Sequence, residues 1–267
     1  MKRVVSAIVL VPLVVFVIFY TPALWFFIAT AALVFLGILE FNRLSIPNEA
    51  GGTDPGSDIL GLGIGVVVPF VVYFFGIYAI APVLMLGVFS MFLTALFRKA
   101  PLADSYVEVM QKALGLVYIA APISFLIPLS QLPSGRKWIM TMILIIWAND
   151  TFAYLVGKSI GKHKLSPQVS PGKTIEGLAG GLIGGFAAIF IFNYFFELKL
   201  APLYALILAA VIGAVGVIGD LAESLVKRSA GVKDSGTLIP GHGGVLDRID
   251  SLIFAIPVMY YFLTFIA

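Results

Sequence analysis

The sequence predicts an all-α integral membrane protein: a polytopic bundle of about nine transmembrane helices with a cytoplasmic N-terminus. Hydrophobic residues make up 60% of the 267 residues and charged residues only 12%, a balance that excludes an ordinary soluble domain. A helix of about twenty apolar residues crosses the ~30 Å hydrocarbon core of a bilayer. Runs of that kind recur along the chain, at residues 4–20, 22–40, 59–76, 78–97, 113–131, 138–157, 177–196, 202–222 and 251–267.

The first five spans come with short connections. Two basic residues precede the first span, as in a signal peptide, but the run lacks a small-residue cleavage site and continues through 20–22 into the second span, which predicts a retained helix. Gly76 marks the break between the third and fourth spans. The longest loops predicted in this half are 41–58 and 98–112.

The loop charges predict the orientation, because basic residues concentrate on the cytoplasmic side of membrane proteins. With the N-terminus inside, the cytoplasmic side receives Lys2, Arg3, Arg43, Arg98, Lys99, Lys112, Lys158, Lys162, Lys164, Lys173, Lys227, Arg228, Lys233 and Arg248, and the other side only Arg136, Lys137 and Lys199. We therefore expect the polar loops of this multi-pass protein to face the cytoplasm; the expected location is the cell inner membrane. Basic residues distributed in this way suit anionic lipid headgroups and do not indicate nucleic-acid binding.

The distribution of polar residues divides the chain into two parts. Residues 1–137 hold about five spans with acids only in loops or at span ends, which indicates a transmembrane scaffold. Residues 138–267 hold about four spans and two polar cytoplasmic loops, 158–176 and 224–250, which indicates a catalytic region. The chain has no cysteine, so disulfides, thiolate catalysis and cysteine-ligated metals are excluded.

Four polar residues with helical spacing end the eighth span: Asp220, Glu223, Ser224 and Lys227. Positions i, i+3, i+4 and i+7 share one face of a helix. Carboxylate and hydroxyl oxygens suit Mg²⁺, which proteins usually bind through one or two carboxylates plus substrate phosphates. The other interpretation is a solvated helix end with an internal ion pair, and the long apolar run before it weighs against that interpretation.

Asp247 and Asp250 stand three residues apart at the start of the last span, after the glycine-rich turn 241–244. Such a turn lets backbone N–H groups approach an anion. Four basic residues are close in sequence: Lys227, Arg228, Lys233 and Arg248. The acids and bases together indicate a metal and phosphate site. Simpler interpretations stay open, in which Asp250 stabilises the positive end of the helix dipole and His242 forms a structural hydrogen bond.

Two further polar groups lie in the second half. Asn149 and Asp150 interrupt the apolar sixth span, and an acid inside a span is expected to face a cavity rather than lipid. Lys173 and Glu176 flank the start of the seventh span. A phosphate-binding P-loop is excluded there, because Pro167 stands where its first glycine belongs and no strand is predicted. We expect the polar groups of the second half to close one cavity.

The polar positions together resemble a family signature. Residues 224–250, SLVKRSAGVKDSGTLIPGHGGVLDRID, closely resemble the signature of CDP-diacylglycerol synthases, also called phosphatidate cytidylyltransferases. The segments WANDTFAYLVG at 147–157 and SPGKTIEG at 170–177 are similar to segments of the same family. The resemblance covers about residues 147–251, and the first half is similar only in being polytopic.

The resemblance implies that CTP and phosphatidic acid, a membrane lipid, react to give CDP-diacylglycerol and pyrophosphate, with Mg²⁺ and a second, monovalent cation as cofactors. It implies catalytic roles for Asp220, Lys227 and Asp247, of which Asp220 and Asp247 are the expected metal ligands. The expected substrate-binding residues are Asn149, Asp150, Lys173, Glu176, Ser224, Arg228, Lys233, His242, Arg248 and Asp250. It further implies a homodimer, which small-residue helix faces also favour.

Other functions make different predictions from the same residues. A CTP-dependent polyprenol or lipid kinase shares the nucleotide and metal chemistry and stays an alternative. A CDP-alcohol phosphotransferase is excluded because its D-G-x-x-A-R signature is missing. A secondary transporter would distribute acids across both halves along a pathway to the far side, whereas the acids here concentrate at the predicted cytoplasmic face of the second half.

Overall fold

The computed structural model describes residues 2–45, 55–239, 241 and 243–266; the predicted site residue His242 lies outside them. The helices of the described residues are α1 (Lys2–Tyr20), α2 (Ala23–Ser45), α3 (Pro55–Phe75), α4 (Ile80–Phe97), α5 (Leu102–Gly115), α6 (Ala121–Ser124), α7 (Leu126–Gln131), α8 (Gly135–Ile160), α9 (Ile175–Phe195), α10 (Pro202–Ser229) and α11 (Leu246–Ile266). Four smaller elements accompany them: a 3₁₀ helix (Ile77–Ala79), a π-helix (Leu116–Ala120) and the strands β1 (Lys164–Ser166) and β2 (Ser170–Thr174).

Helix occupies each of the nine predicted spans. Within the described residues, 7 helical segments are long and apolar enough to cross a membrane, and two shorter apolar runs, Ile8–Tyr20 and Ile59–Phe75, lie in α1 and α3. The prediction of an all-α, polytopic membrane protein is therefore confirmed, and the two short strands are a minor addition. The side of the membrane on which the N-terminus lies stays a prediction.

The break between the third and fourth spans falls at Gly76, as predicted. Gly76 has a φ of 82°, a left-handed conformation that glycine adopts without a Cβ clash. The N–H of Ala79 donates to the Gly76 carbonyl at 3.2 Å and closes the 3₁₀ turn before α4. α3 and α4 are therefore separate elements rather than one long helix.

The fifth span begins earlier than predicted. A loop was expected over 98–112 because charged residues interrupt it, but α5 begins at Leu102, and the helical segment that it starts continues for 30 residues. Ser105, Val109 and Lys112 are buried on one face of α5, at the spacing of an amphipathic helix. The loop prediction was wrong because such a helix lacks the continuous apolar run by which the spans were found.

A β-hairpin lies in the predicted cytoplasmic loop 158–176. β1 and β2 pair antiparallel, with Lys164 opposite Thr174 and Ser166 opposite Ser170. The sequence does not predict it, because strands of three and five residues are too short to show an alternating apolar pattern. The hairpin matters for the site, since β2 leads directly into α9.

The described chain divides into two compact units. Unit 1 comprises Met1–Pro128 and Ala230–Asp247, and unit 2 comprises Leu129–Ser229 and Arg248–Ala267. The fully buried core of unit 1 includes Val34, Val68, Leu116, Ile119 and Ile123. That of unit 2 includes Ile145, Ile189, Leu208, Ile212 and Ile253. The predicted division into a scaffold (1–137) and a catalytic region (138–267) concerns function, and it stays a prediction.

In unit 2, α9 packs on α8 through a row of buried glycines. Gly177, Gly180, Gly181 and Gly184 recur at three- and four-residue intervals on α9. A Cβ at Gly184 would lie 2.7 Å from the ring of Phe152 on α8. Small residues let membrane helices approach closely and gain van der Waals contact, so this row determines how near α9 comes to α8.

Replacing Gly181 with Ala should lower the unfolding temperature of the purified protein in detergent. The new Cβ would lie 2.6 Å from Asn149 Oδ1 and 2.8 Å from the Asn149 carbonyl oxygen, so α8 and α9 would have to separate, which costs about 1–3 kcal/mol. Gly63→Ala is the matched control, because a Cβ at Gly63 meets no described atom within 4 Å. Equal unfolding temperatures for the two variants would contradict the close approach.

Candidate active site

In unit 2, Asp220 contacts two other predicted site residues. Lys173 Nζ lies 2.7 Å from Asp220 Oδ2, and the hydroxyl of Ser224 donates a hydrogen bond to Asp220 Oδ1 at 3.3 Å. Asp220 and Ser224 stand one turn apart on α10, whereas Lys173 comes from β2. The hairpin that the sequence did not predict therefore positions the ammonium group against α10.

Two more carboxylates belong to the same group. Asp150 of α8 and Asp250 of α11 each interact electrostatically with Asp220 and with one another. Lys173 attracts Asp150, and Lys227 attracts Asp250. Three spanning helices and the hairpin thus contribute to one set of residues, which we call the carboxylate centre: Asp150, Lys173, Asp220, Ser224, Lys227 and Asp250.

A buried ion pair adjoins the carboxylate centre on α10. Glu223 and Lys227, one turn apart, pair through their side chains, which are 1% and 11% exposed. The predicted common helix face is confirmed, because Ser224 contacts Asp220 over the same four-residue spacing. The interpretation as a solvated helix end is wrong for Glu223, which is buried.

The carboxylate centre carries an excess of negative charge. With Glu223 it holds four carboxylates against the ammonium groups of Lys173 and Lys227, which leaves two negative charges when all are ionised. Like charges repel strongly where the dielectric constant is low, and oxygen donors of this kind suit Mg²⁺. The donor chemistry therefore fits a hard cation, although no three acidic or histidine side chains of the described residues are already grouped as a metal site.

Asn149 has the surroundings of a packing residue. It is 2% exposed, and its Oδ1 accepts no hydrogen bond from the described residues. A Cβ at Gly181 of α9 or at Gly213 of α10 would lie 2.6 Å and 3.3 Å from that oxygen, so the amide is enclosed by two neighbouring helices. Its substrate-binding role stays a prediction.

Glu176 closes the hairpin through contacts that the sequence did not indicate. Its carboxylate accepts hydrogen bonds from the backbone N–H of Lys162 at 3.1 Å and of His163 at 3.2 Å. His163 Nδ1 lies 2.6 Å from Glu176 Oε1. The contacts hold the loop that carries Lys173, so Glu176 has a positioning role in this structure, and its predicted substrate contact stays a prediction.

In unit 1, Asp247 binds the polypeptide around it. Its Oδ2 accepts hydrogen bonds from the backbone N–H of Ser235 and the N–H of Gly244, each at 2.8 Å. The hydroxyl oxygen of Ser235 lies 2.9 Å from the same Oδ2, and its one proton is shared between Asp247 and Glu40. Gly243, with a φ of 80°, brings the backbone close to the same carboxylate. The glycine-rich turn was expected to approach an anion, and the anion that it approaches in the structure is Asp247.

Glu40 of α2 is a residue that the sequence did not single out. It is 5% exposed, and its carboxylate accepts hydrogen bonds from the hydroxyl of Ser235 at 3.0 Å and from the N–H groups of Val245 and Leu246 at 2.9 Å each. Its position was taken as a span end, but α2 continues to Ser45. The sequence signal that could have identified Glu40 is an acid inside an apolar helix. We call Glu40, Ser235, Val245 and Leu246 the Glu40 clasp.

The remaining predicted residues lie near the ends of helices or in the loop between them. α11 begins at Leu246, and the acid in its first turn is Asp247. Asp250 lies beyond that turn, so the interpretation that it stabilises the positive end of the helix dipole is wrong. Asp250 Oδ1 instead accepts the N–H of Ser251 at 2.7 Å. Three predicted phosphate-binding residues are exposed: Arg228, Lys233 and Arg248.

Comparison with known proteins gives consistent matches. A model of the family described as "Cytidylyltransferase family" matches residues 1–266. The chain is 41% identical over 151 residues to a phosphatidate cytidylyltransferase from Bacillus subtilis, 56% of each chain, and 47% identical over 136 residues to one from Haemophilus influenzae, 49% of this chain and 47% of the relative. These two matches span about half the length of the relatives. The match to a phosphatidate cytidylyltransferase from Pseudomonas aeruginosa is 36% identical over 260 residues, 96% of this chain and 94% of the relative. The chain therefore belongs to the cytidylyltransferase family.

Proposed function

We propose that the chain transfers the cytidylyl group of CTP to phosphatidic acid, forming CDP-diacylglycerol and pyrophosphate in phospholipid biosynthesis. A phosphate oxygen of phosphatidic acid forms a bond to the α-phosphorus of CTP, while the bond from that phosphorus to the α–β bridging oxygen breaks and pyrophosphate leaves. The observation that carries the proposal is the carboxylate centre, in which acids and ammonium groups lie together on spanning helices. The names of the relatives support the choice of substrates.

The side chains of unit 2 suit the requirements of this chemistry. Nucleotidyl transfer needs its reacting oxygens in line and its phosphate charge neutralised, and it needs little covalent participation from the protein. Lys173 and Lys227 pair with Asp220 and Glu223, and in this proposal their ammonium groups neutralise the phosphate oxygens of the substrates. Arg228 is exposed one residue beyond Lys227 and would extend the cationic surface.

Mg²⁺ is part of the proposal. In unit 2 the residues proposed to hold it are Asp220 and, as further oxygen donors, Asp150 and Asp250. Asp247 of unit 1 is proposed as a cation ligand from its place in the sequence signature. When bound, the ion would neutralise charge on the phosphate oxygens. A second, monovalent cation belongs to the same proposal.

The position of the radiolabel in CTP separates this function from its alternative. With phosphatidic acid and purified protein, [α-³²P]CTP should label the lipid product and [γ-³²P]CTP should not. A kinase would transfer the γ-phosphate and reverse the pattern. Absence of lipid labelling from either nucleotide, in protein that unfolds cooperatively, would exclude both functions.

The proposal also covers orientation and assembly. The protein lies in the inner membrane as a homodimer, with its N-terminus and the hairpin in the cytoplasm. The absence of cysteine allows a direct test with single cysteines. Gly172→Cys in the hairpin, where a Cβ meets no described atom within 4 Å, should react with a membrane-impermeant maleimide only after cells are opened. Ala201→Cys, exposed between α9 and α10, should react in intact spheroplasts. The opposite labelling pattern would invert the proposed topology.

A further inference from the structure

The exposed side of α8 in unit 2 carries two aromatic side chains to which the proposed function gives no role. Trp147 is 40% exposed and Tyr154 is 64% exposed. Asp150 of the carboxylate centre lies between them in the sequence. An exposed aromatic side chain on a spanning helix contacts either lipid or the contents of a cavity, and the contacts of Asp150 distinguish the two cases.

Tyr154 lies on the side of α8 that faces the carboxylate centre. Residues four apart are neighbours on one side of a helix, and Asp150, Tyr154 and Lys158 follow one another at that spacing. The Asp150 carboxylate interacts electrostatically with Asp220 and with Lys173. The side of α8 that bears Tyr154 is therefore turned toward the polar groups of the centre.

The ring of Tyr154 has a cation beside it and an open surface. Lys158 Nζ lies 5.6 Å from the centroid of the ring, a distance at which the π-electrons attract an ammonium group. α9 packs on a different side of α8, since a Cβ at Gly180 would lie 2.4 Å from Val156. Tyr154 and Lys158 together therefore offer a flat aromatic surface next to a positive charge.

A nucleotide has both of the groups that such a surface attracts. Every base has a π-face that stacks on an aromatic side chain, and an ammonium group attracts phosphate oxygens. Tyr154 is four residues from Asp150, about 6 Å along the helix axis. The ribose of CTP separates the base from the α-phosphate by a comparable length, so a nucleotide with its phosphates at the carboxylate centre reaches Tyr154 with its base.

Trp147 is the less suitable of the two rings for a base. It lies near the middle of the 26-residue helix Gly135–Ile160, whereas Tyr154 lies in the last two turns. The polar edge of a base is costly to bury where it finds no hydrogen-bond partner, as in the centre of a bilayer. Near the end of α8 the same edge keeps its contact with water.

We propose that the cytosine base of CTP stacks on Tyr154, on the ring face away from Lys158, and that the ammonium group of Lys158 attracts the phosphates. The inference rests on the proposed function, because it takes CTP as the nucleotide and the carboxylate centre as the phosphate site. The contact uses the ring of Tyr154 and not its hydroxyl group. Stacking alone does not distinguish cytosine from other bases.

Equilibrium dialysis of [³H]CTP against the purified full-length protein, with Mg²⁺ and without phosphatidic acid, measures this contact. Tyr154→Leu should raise the Kd for CTP about tenfold, because one base–aromatic stack is lost. Tyr154→Phe keeps the ring and should stay within about twofold of the unchanged protein. Lys158→Gln should raise the Kd about threefold. All three changes are at exposed positions, so the unfolding temperatures should be retained.

Matched controls separate this contact from general effects of exposed side chains. Tyr194→Leu makes the same change at a tyrosine that is 88% exposed near the C-terminal end of α9, and Lys199→Gln removes a charge at an exposed position after α9. Neither should change the Kd. The inference is overturned if Tyr154→Leu binds CTP as tightly as Tyr194→Leu, or if Tyr154→Phe weakens binding as much as Tyr154→Leu.

The failure of this inference can be told apart from that of the proposed function, because dialysis requires no turnover. Lipid labelling by [γ-³²P]CTP would exclude the transferase, while the Kd values of the Tyr154 variants would still support the stacking contact. Lipid labelling by [α-³²P]CTP together with an unchanged Kd in Tyr154→Leu would overturn the stacking contact alone. Absence of CTP binding by the unchanged protein would contradict both.

Discussion

Asp220→Asn should abolish the formation of CDP-diacylglycerol while leaving the protein folded. Asp220 pairs with Lys173 and accepts the hydroxyl of Ser224, and it is a proposed metal ligand. Removal of its charge should lower kcat by at least about a hundredfold, the effect of losing one group that stabilises transition-state charge. The measurement is transfer of label from [α-³²P]CTP to lipid by purified protein.

Stability should respond to this change in a different way from activity. Asp220 is close enough to Asp150 and Asp250 to repel both, so the neutral side chain relieves repulsion as it weakens the partly exposed pair with Lys173. We expect an unfolding temperature near that of the unchanged protein. Asp104→Asn, on the exposed face of α5, is the control and should keep full activity. Full activity in Asp220→Asn would exclude Asp220 as a metal ligand.

Glu40→Ala should destabilise unit 1 and reduce activity together. The change removes the acceptor of two backbone N–H groups and one hydroxyl, those of Val245, Leu246 and Ser235. The Ser235 hydroxyl still has Asp247 as an acceptor, whereas the two N–H groups have none; a buried donor without an acceptor costs about 1–3 kcal/mol, so a loss of about 2–6 kcal/mol is expected. Hydrogen exchange at the amides of Val245 and Leu246 should accelerate, and this rate measures the clasp directly.

Two variants calibrate the effect at Glu40. Glu40→Gln keeps one acceptor oxygen, so its loss of stability should lie between those of the unchanged protein and Glu40→Ala. Arg43→Gln changes one charge at an exposed position three residues further along α2 and should affect neither exchange nor stability. If the amides of Val245 and Leu246 exchange at the same rate in Glu40→Ala as in the unchanged protein, the clasp does not hold this segment.

The spans were predictable because the hydrocarbon core of a membrane imposes the same requirements on every helix that crosses it. Each span must be apolar and long, and each must satisfy its own backbone hydrogen bonds. The same reasoning indicated Asp150 and Asp220 as site residues. An acid within an apolar run costs free energy of insertion into the membrane, and a functional role accounts for its presence there. Helical spacing then predicted correctly that Ser224 shares a face with Asp220.

Contacts between distant segments were not predictable from these rules. Hydropathy says nothing of which donor meets Glu40, because that pairing depends on how α2 packs against the segment before α11. The sequence did not single out Ser235, yet its hydroxyl lies within hydrogen-bonding distance of Glu40 and its backbone N–H donates to Asp247. The approach of Lys173 to Asp220 depends on a hairpin too short to leave a periodic pattern. Tertiary packing determined each of these contacts.

The Glu40 clasp also constrains the order in which the chain is assembled during synthesis. Glu40 and Val245 are separated by 205 residues, and the intervening segment Leu129–Ser229 belongs to unit 2. Contacts of such long range form late, and a chain made from its N-terminus cannot form them until both partners have been synthesised. The second span must therefore enter the membrane with its carboxylate before its native donors exist. Unit 1, although it is begun first, is completed only when the ribosome has passed residue 246.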